Sequence, residues 1–277
     1  MQRFRLSGRQ ITTFAALLFL LLIHIPPHTL IIAQQASPFL TPQPDGTLRR
    51  IRVPVLMYHY VSPLPPQADD VRIGLTVSPE TFRTHLLYLQ AEGYTTISLY
   101  DLHTALLTGE PLPPKPIVLT FDDGHIDHYV TVFPLLREFG FTGTFFIITG
   151  RADAGDPAYV SWAQIAEMAA AGMSMEAHTK RHMDLRQRDY NFLVYEILGS
   201  IESLQAHTGQ PTTMFAYPAG RYDDATLAVL ESLNVWRAVT TEPGTAHTTD
   251  NRLQVPRLRI TGEMSAAGLA GLLNSNR

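Results

Sequence analysis

From near Ile51 onward, short apolar runs that read as strands alternate with segments of helical periodicity, and this rhythm restricts the fold more than any other feature of the chain. The strand-like runs cover residues 53–58, 95–98, 117–121, 144–149, 173–177, 213–216, 235–240 and 258–260. Between them the spacing predicts helices. Ser78-Pro79-Glu80 supplies an N-cap and a first-turn proline ahead of Phe82, Leu86 and Leu89. Further helices are expected over 101–107, in the segment ending at Phe139-Gly140, and over 162–171, 189–207, 224–233 and 266–273. Strands alternating with helices form parallel sheets under helical cover. Asp122-Asp123, His178 and Tyr217-Pro218 each follow the C-terminal end of a predicted strand, and in a (β/α) barrel those ends meet at one mouth. The expected fold is therefore α/β, an irregular, TIM-like (β/α) barrel forming a single catalytic domain over residues 51–277. An open doubly wound sheet is the alternative, although no Gly-x-Gly-x-x-Gly loop follows an early strand.

Composition narrows the chemistry. The chain has no cysteine, which excludes disulfides, thiol catalysis and cysteine-built zinc sites together. A formal charge of −4 offers no basic surplus for nucleic acid. Near the N-terminus, Arg3, Arg5 and Arg9 precede an almost wholly apolar run at 11–25 that ends at Pro26-Pro27, and Ala33-Gln34-Gln35-Ala36 offers small residues for processing. The run is shorter than the roughly 20 apolar residues that comfortably cross a bilayer. Residues 1–36 are expected to serve as a signal peptide or, uncleaved, as a membrane anchor; a buried N-terminal helix is the third reading. Either of the first two places the remainder outside the cytoplasmic membrane, in the cell envelope or beyond it. Residues 37–50, proline-rich and without periodicity, read as a linker.

Three segments carry candidate chemistry. In Thr120-Phe121-Asp122-Asp123-Gly124 two adjacent carboxylates follow a buried strand, where like charges raise each other's pKa unless something offsets them. A divalent cation would do so, with one carboxylate binding it and the other free to accept a proton. Taken alone, Asp-Asp-Gly reads more readily as an ordinary solvated turn. In His178-Thr179-Lys180-Arg181-His182 the two histidines share a face if the segment makes a helical turn, so both imidazoles could reach one ion. With eleven histidines in the chain, such spacing also arises by chance, and position straight after a strand is what distinguishes it. Phe215-Ala216-Tyr217-Pro218-Ala219-Gly220 could shape a loop whose N–H groups stabilise an oxyanion, or a plain turn.

Together and in this order, these segments resemble the polysaccharide deacetylase family, the NodB-homology domain of carbohydrate esterase family 4, from about Val53 to Ile260. Val53-Pro54-Val55-Leu56-Met57-Tyr58-His59 is similar to the domain opening of one branch. Thr120-Phe121-Asp122-Asp123-Gly124 matches the first family motif in full, and His178-Thr179-Lys180-Arg181-His182 matches the second. Tyr217-Pro218-Ala219-Gly220 is similar to the second half of the third. The resemblance implies Asp122 as general base and Asp123, His178 and His182 as ligands of a divalent metal, with Zn2+ the prior for that donor set. It implies that the ion polarises the acetyl carbonyl and lowers the pKa of its water, that Asp122 takes the proton, and that the Ala219 N–H helps hold the oxyanion.

The sequence departs from the family in three places. The arginine that usually opens the third motif and orients the base is replaced by Ala216, leaving Arg257 or Arg221 as substitutes. The fourth motif, an acidic residue shortly before a tryptophan, is not recognisable around Asn234-Val235-Trp236, and no histidine follows Ile260 to act as general acid. His59, after the first strand, could fill that place or be a structural histidine. His125 and His128 read as bystanders, and Trp162 as packing at a helix start. The expected function is metal-dependent removal of N-acetyl groups from an extracellular N-acetylglucosamine polymer, of the cell wall or an exopolysaccharide. The alternatives are hydrolysis of another ester or amide such as acetylxylan, and a catalytically silent exported glycan-binding protein. Oligomeric state is left open.

Overall fold

The computed structural model describes residues 42–276, so the basic and apolar N-terminal run, the processing site and the first part of the expected linker lie outside the described residues. Seven strands make the barrel: β1 (Val55–Tyr58), β2 (Pro116–Phe121), β3 (Thr144–Ile147), β4 (Ser174–Ala177), β5 (Met214–Ala216), β6 (Arg237–Pro243) and β7 (Val255–Arg259). Each pairs in parallel with the next in chain order, and β7 returns to β1 with Leu258 opposite Leu56 and Arg259 opposite Met57. The barrel is thus closed, as the strand–helix rhythm predicts, and not an open sheet.

The pleat explains why these runs are mostly apolar. Successive residues point to opposite faces, and both faces of each strand are covered. Val55, Val118, Phe146, Met214, Val239 and Val255 form one apolar cluster, which also takes in Leu99, Leu102 and Leu106 from the helix Leu99–Thr108. Their neighbours along the same strands, Leu56, Leu119, Phe145 and Phe215, belong with Met175 of β4 to a second cluster with the covering helices. In that layer stand Phe82 and Leu86 of α1 (Pro79–Ala91), Ile165 of α2 (Trp162–Ala170), and Leu193 and Ile197 of α3 (Tyr190–Thr208). Each such side chain contributes about 1.5–3 kcal/mol on full burial. A one-residue slip of any strand would exchange the two sets, so the register is strongly specified.

Helix starts follow the expected chemistry. Ser78 caps α1 by accepting from Thr81 N–H, with Pro79 in the first turn, and Ser161 and Gln164 form a capping box at α2. Three details differ from expectation. The strand expected over 95–98 shortens to Thr95–Thr96 and pairs with the start of β2, while β3 takes the end of β2 along Thr120 and Phe121. The helix before Gly140 begins as a π-helical turn, His128–Val132, and continues as Phe133–Phe139. Pro134 has no N–H to return to the preceding turn, which widens there. Arg50, at the end of the expected linker, already belongs to a short strand, Arg50–Arg52, paired with Ala246–Thr248.

Candidate active site

The polar residues that follow β1, β2 and β4 converge at the C-terminal mouth, and the local backbone sends them in different directions. Asp122 continues the line of β2, its N–H bonded to Tyr58 O at 3.0 Å, and is 2% exposed. Asp123 then turns left-handed at φ 81 and Gly124 follows at φ 76. A Cβ on Gly124 would meet Ile147 Cδ1 at 3.1 Å in a backbone conformation that side chains resist, so glycine is required where the acidic pair leaves the strand. The two adjacent carboxylates are thereby separated in role.

Asp122 lies against Arg257, which is 1% exposed on β7. Nη1 donates to Oδ1 and Nη2 to Oδ2, both at 2.7 Å, a two-bond fork. Nη1 also donates to Thr120 Oγ1 and Nε to Thr240 O, each at 2.9 Å. The Thr240 carbonyl is free for this because the β6–β7 ladder shifts register between Val239 and Pro243. Burial alone would raise the Asp122 pKa; the charge and hydrogen bonds of Arg257 outweigh it and hold the carboxyl below its ordinary value. Of the two arginines considered from the sequence, Arg257 touches the carboxylate. Arg221 is exposed and lies 3.4 Å from Asp184 instead.

Asp123 faces the histidines. Its Oδ1 lies 3.2 Å from His178 Nε2 and 3.4 Å from His182 Nε2, yet this buried oxygen has no hydrogen-bond partner of good geometry. Ligand atoms of Asp123, His178 and His182 lie within 4.8 Å of one another. His178 Nδ1 is 2.7 Å from the Ala216 carbonyl, so it carries the proton and Nε2 presents a lone pair to the cluster. His178 is 2% exposed, whereas 37% of the His182 side chain is open, giving an ion access from solvent. An orphaned carboxylate oxygen between two imidazole nitrogens fits a divalent ion.

The helical turn expected between the two histidines is not there. Residues 178–182 form a loop, with Thr179 at φ 65 and His182 at φ 57. Three contacts shape it. His182 N–H bonds Thr179 Oγ1 at 2.9 Å, Arg181 N–H bonds the fully buried Glu196 carboxylate of α3 at 2.9 Å, and Gly150 N–H bonds Lys180 O at 2.8 Å. Loop contacts, rather than a four-residue helical period, bring the imidazoles together.

His59 stands beside Asp122, with Nε2 4.0 Å from Oδ2, and burial pushes its pKa down to about 4. His128 is fully buried and its Nε2 lies 2.6 Å from the His59 carbonyl, holding the β1 exit rather than entering the site. His125, read from the sequence as a bystander, is in contact with the centre: Nε2 lies 3.3 Å from Asp123 Oδ2. Its place directly after Gly124 was the one sequence signal available. A cavity of about 270 Å3 beside it is lined by Tyr60, Ser62, Arg72, Asp127 and Tyr159. Ala219 lies exposed in the turn Pro218–Gly220, past the end of β5, at φ 52. Trp162 stacks on His207 at the start of α2, and Trp236 stacks on His103 just before β6.

A family model described as Polysaccharide deacetylase matches residues 109–237. Over 229 residues the chain is 30% identical to YxkH of Bacillus subtilis (strain 168), named as a polysaccharide deacetylase, covering 83% of this chain and 78% of that one. It is 27% identical over 180 residues to the poly-beta-1,6-N-acetyl-D-glucosamine N-deacetylase of Escherichia coli (strain K12), spanning 58% of this chain but 26% of that protein. Among solved structures, the Streptococcus pyogenes deacetylase PplD in complex with acetate aligns with a TM-score of 0.75 and 33% identity, over 81% of this chain and 99% of that chain.

Proposed function

The chain belongs to the polysaccharide deacetylase family, and from that premise we propose that it removes N-acetyl groups from an extracellular polysaccharide containing N-acetylglucosamine, of the cell wall or an exopolysaccharide. The observation that carries the reading is the division of labour within one acidic pair. Asp122 is held ionised by the Arg257 fork, while Asp123 faces His178 and His182 with an unpartnered oxygen.

Asp123, His178 and His182 would hold the divalent ion, for which two imidazoles and a carboxylate favour zinc. When bound, it supplies Lewis acidity to the acetyl carbonyl and acidifies a water. Asp122 would take the proton from the attacking water, and Arg257 fixes the carboxylate for the transfer. The Ala219 N–H donates to the tetrahedral oxyanion. His59 delivers a proton to the leaving nitrogen as the C–N bond breaks, giving acetate and a free amine. At neutral pH His59 starts unprotonated; Asp122 Oδ2 lies 4.0 Å from its Nε2, so the proton that Asp122 has taken would reach it through one intervening water. The glycan would lie across the mouth, beside the cavity lined by Tyr60, Arg72 and Tyr159. The basic and apolar N-terminal residues support export, with or without retention at the membrane.

Acetate release from a panel of N-acetylated and O-acetylated glycans tests the reading. Turnover is expected on N-acetylglucosamine polymers and to fall at least about 100-fold in Asp122→Asn and His178→Ala. Activity surviving both changes sinks the assigned site. Preference for acetylxylan would move the substrate to an ester, and glycan binding with neither release nor a bound divalent ion would favour a silent binding protein.

A further inference from the structure

We propose that His125 is a positioning residue for the metal site, engaging the second oxygen of Asp123 so that this carboxylate offers the ion one oxygen rather than two. The inference rests on the functional reading above and concerns a histidine to which that reading gives no role. His125 is 6% exposed and its Nε2 lies 3.3 Å from Asp123 Oδ2. His178 and His182 face the opposite oxygen, Oδ1. The atoms that cluster within 4.8 Å come from Asp123, His178 and His182, so His125 stands outside the ligand group and behind its carboxylate. A carboxylate with both oxygens unengaged can chelate an ion; one whose second oxygen accepts an imidazole N–H binds through the first. One-oxygen binding keeps a coordination position for water or the acetyl carbonyl that chelation would take.

The surroundings of His125 are built to keep it there. Its backbone forms an antiparallel bridge with Tyr159, flanked by Ile126 N–H to Ala158 O and Val160 N–H to Gly124 O, both 2.9 Å. Its ring stacks on Tyr60 with centroids 3.9 Å apart and tilts against Tyr159 at 4.9 Å. Each tyrosine is met in turn by a guanidinium, Arg72 at 3.2 Å from the Tyr60 centroid and Arg151 at 5.0 Å from that of Tyr159. With both its backbone and its ring held, the imidazole has a fixed direction, and that direction is toward Asp123.

The test compares metal uptake by the native chain, His125→Phe, which keeps a ring and loses the donor, and His125→Gln, which keeps a donor and loses the ring. Titration of metal-stripped protein with Zn2+ should show a loss of about 10–100-fold in affinity for His125→Phe and recovery in His125→Gln. With Co2+, His125→Phe should show weaker visible absorption as Asp123 chelates and coordination number rises, and His125→Gln the native spectrum. Native affinity and spectrum in His125→Phe overturn the proposal, as does equal loss in both variants, which would mark a packing role. If His125→Phe melts below the native chain without metal, His125→Gln decides alone: native uptake supports the donor role and weakened uptake overturns it. A native chain that takes up neither ion overturns the functional reading itself, an outcome separate from a native chain that binds and a Phe variant that binds equally.

Discussion

Arg257 and Asp122 stand 135 residues apart in the chain and meet as a fully buried, two-bond ion pair. A buried pair of this kind is expensive to break from one side, because the remaining charge has no solvent to turn to. Arg257→Ala is expected to cost about 3–5 kcal/mol in stability, read by denaturant unfolding. It should also move the acidic limb of the activity profile to higher pH. The sign follows from the causes: burial raises the Asp122 pKa and Arg257 lowers it, so removing the arginine leaves only the rise. Arg257→Lys keeps the charge without the fork and should recover part of the stability and less of the activity. A position near a predicted strand slightly favoured Arg257 over Arg221 in the sequence, but nothing local placed it beside Asp122. The choice depends on β7 closing against β1, which places Arg257 within reach of β2.

At the scale of elements, the strands and most helices were legible because side-chain periods of two and 3.6 residues report which face is covered. The shape of the His178–His182 segment was not legible for the same reason. A spacing of four invites a helical turn, and the structure instead uses left-handed residues at Thr179 and His182, which periodicity does not register. The loop takes its shape from outside itself, above all from Gly150 and from Glu196 of α3. A Cβ at Gly150 would stand 2.4 Å from Lys180 O. Gly150→Ala should therefore displace the loop and weaken zinc uptake by at least about tenfold, while the far-ultraviolet dichroism of the barrel stays native. Unchanged zinc affinity in that variant would show that the loop does not depend on this approach.

At the scale of the whole molecule, closing seven strands buries polar groups as well as hydrocarbon. Glu176, in the middle of β4, is 1% exposed, accepts the Met214 N–H at 2.9 Å, and has its pKa pushed up to about 8 by burial. The folded chain thus keeps this proton up to about pH 8, whereas the unfolded chain releases it near the ordinary glutamate value of 4.5. Its contribution is full below pH 4.5 and declines as pH rises toward 8, by at most about 1.4 kcal/mol per unit. Glu176→Gln removes that dependence, so its melting temperature should fall less between pH 5 and pH 8 than that of the native chain. Equal falls would show Glu176 ionised in the fold. By itself the sequence determined the parallel strand–helix architecture, the acidic pair, and the two histidines set past strand ends, because each is written in local period and spacing. The tertiary structure alone decided the count of seven strands, the pairing of Asp122 with Arg257 rather than Arg221, the loop that joins His178 to His182, and the contact of His125 with Asp123. Those depend on barrel closure, which sets distances between residues that no local pattern relates.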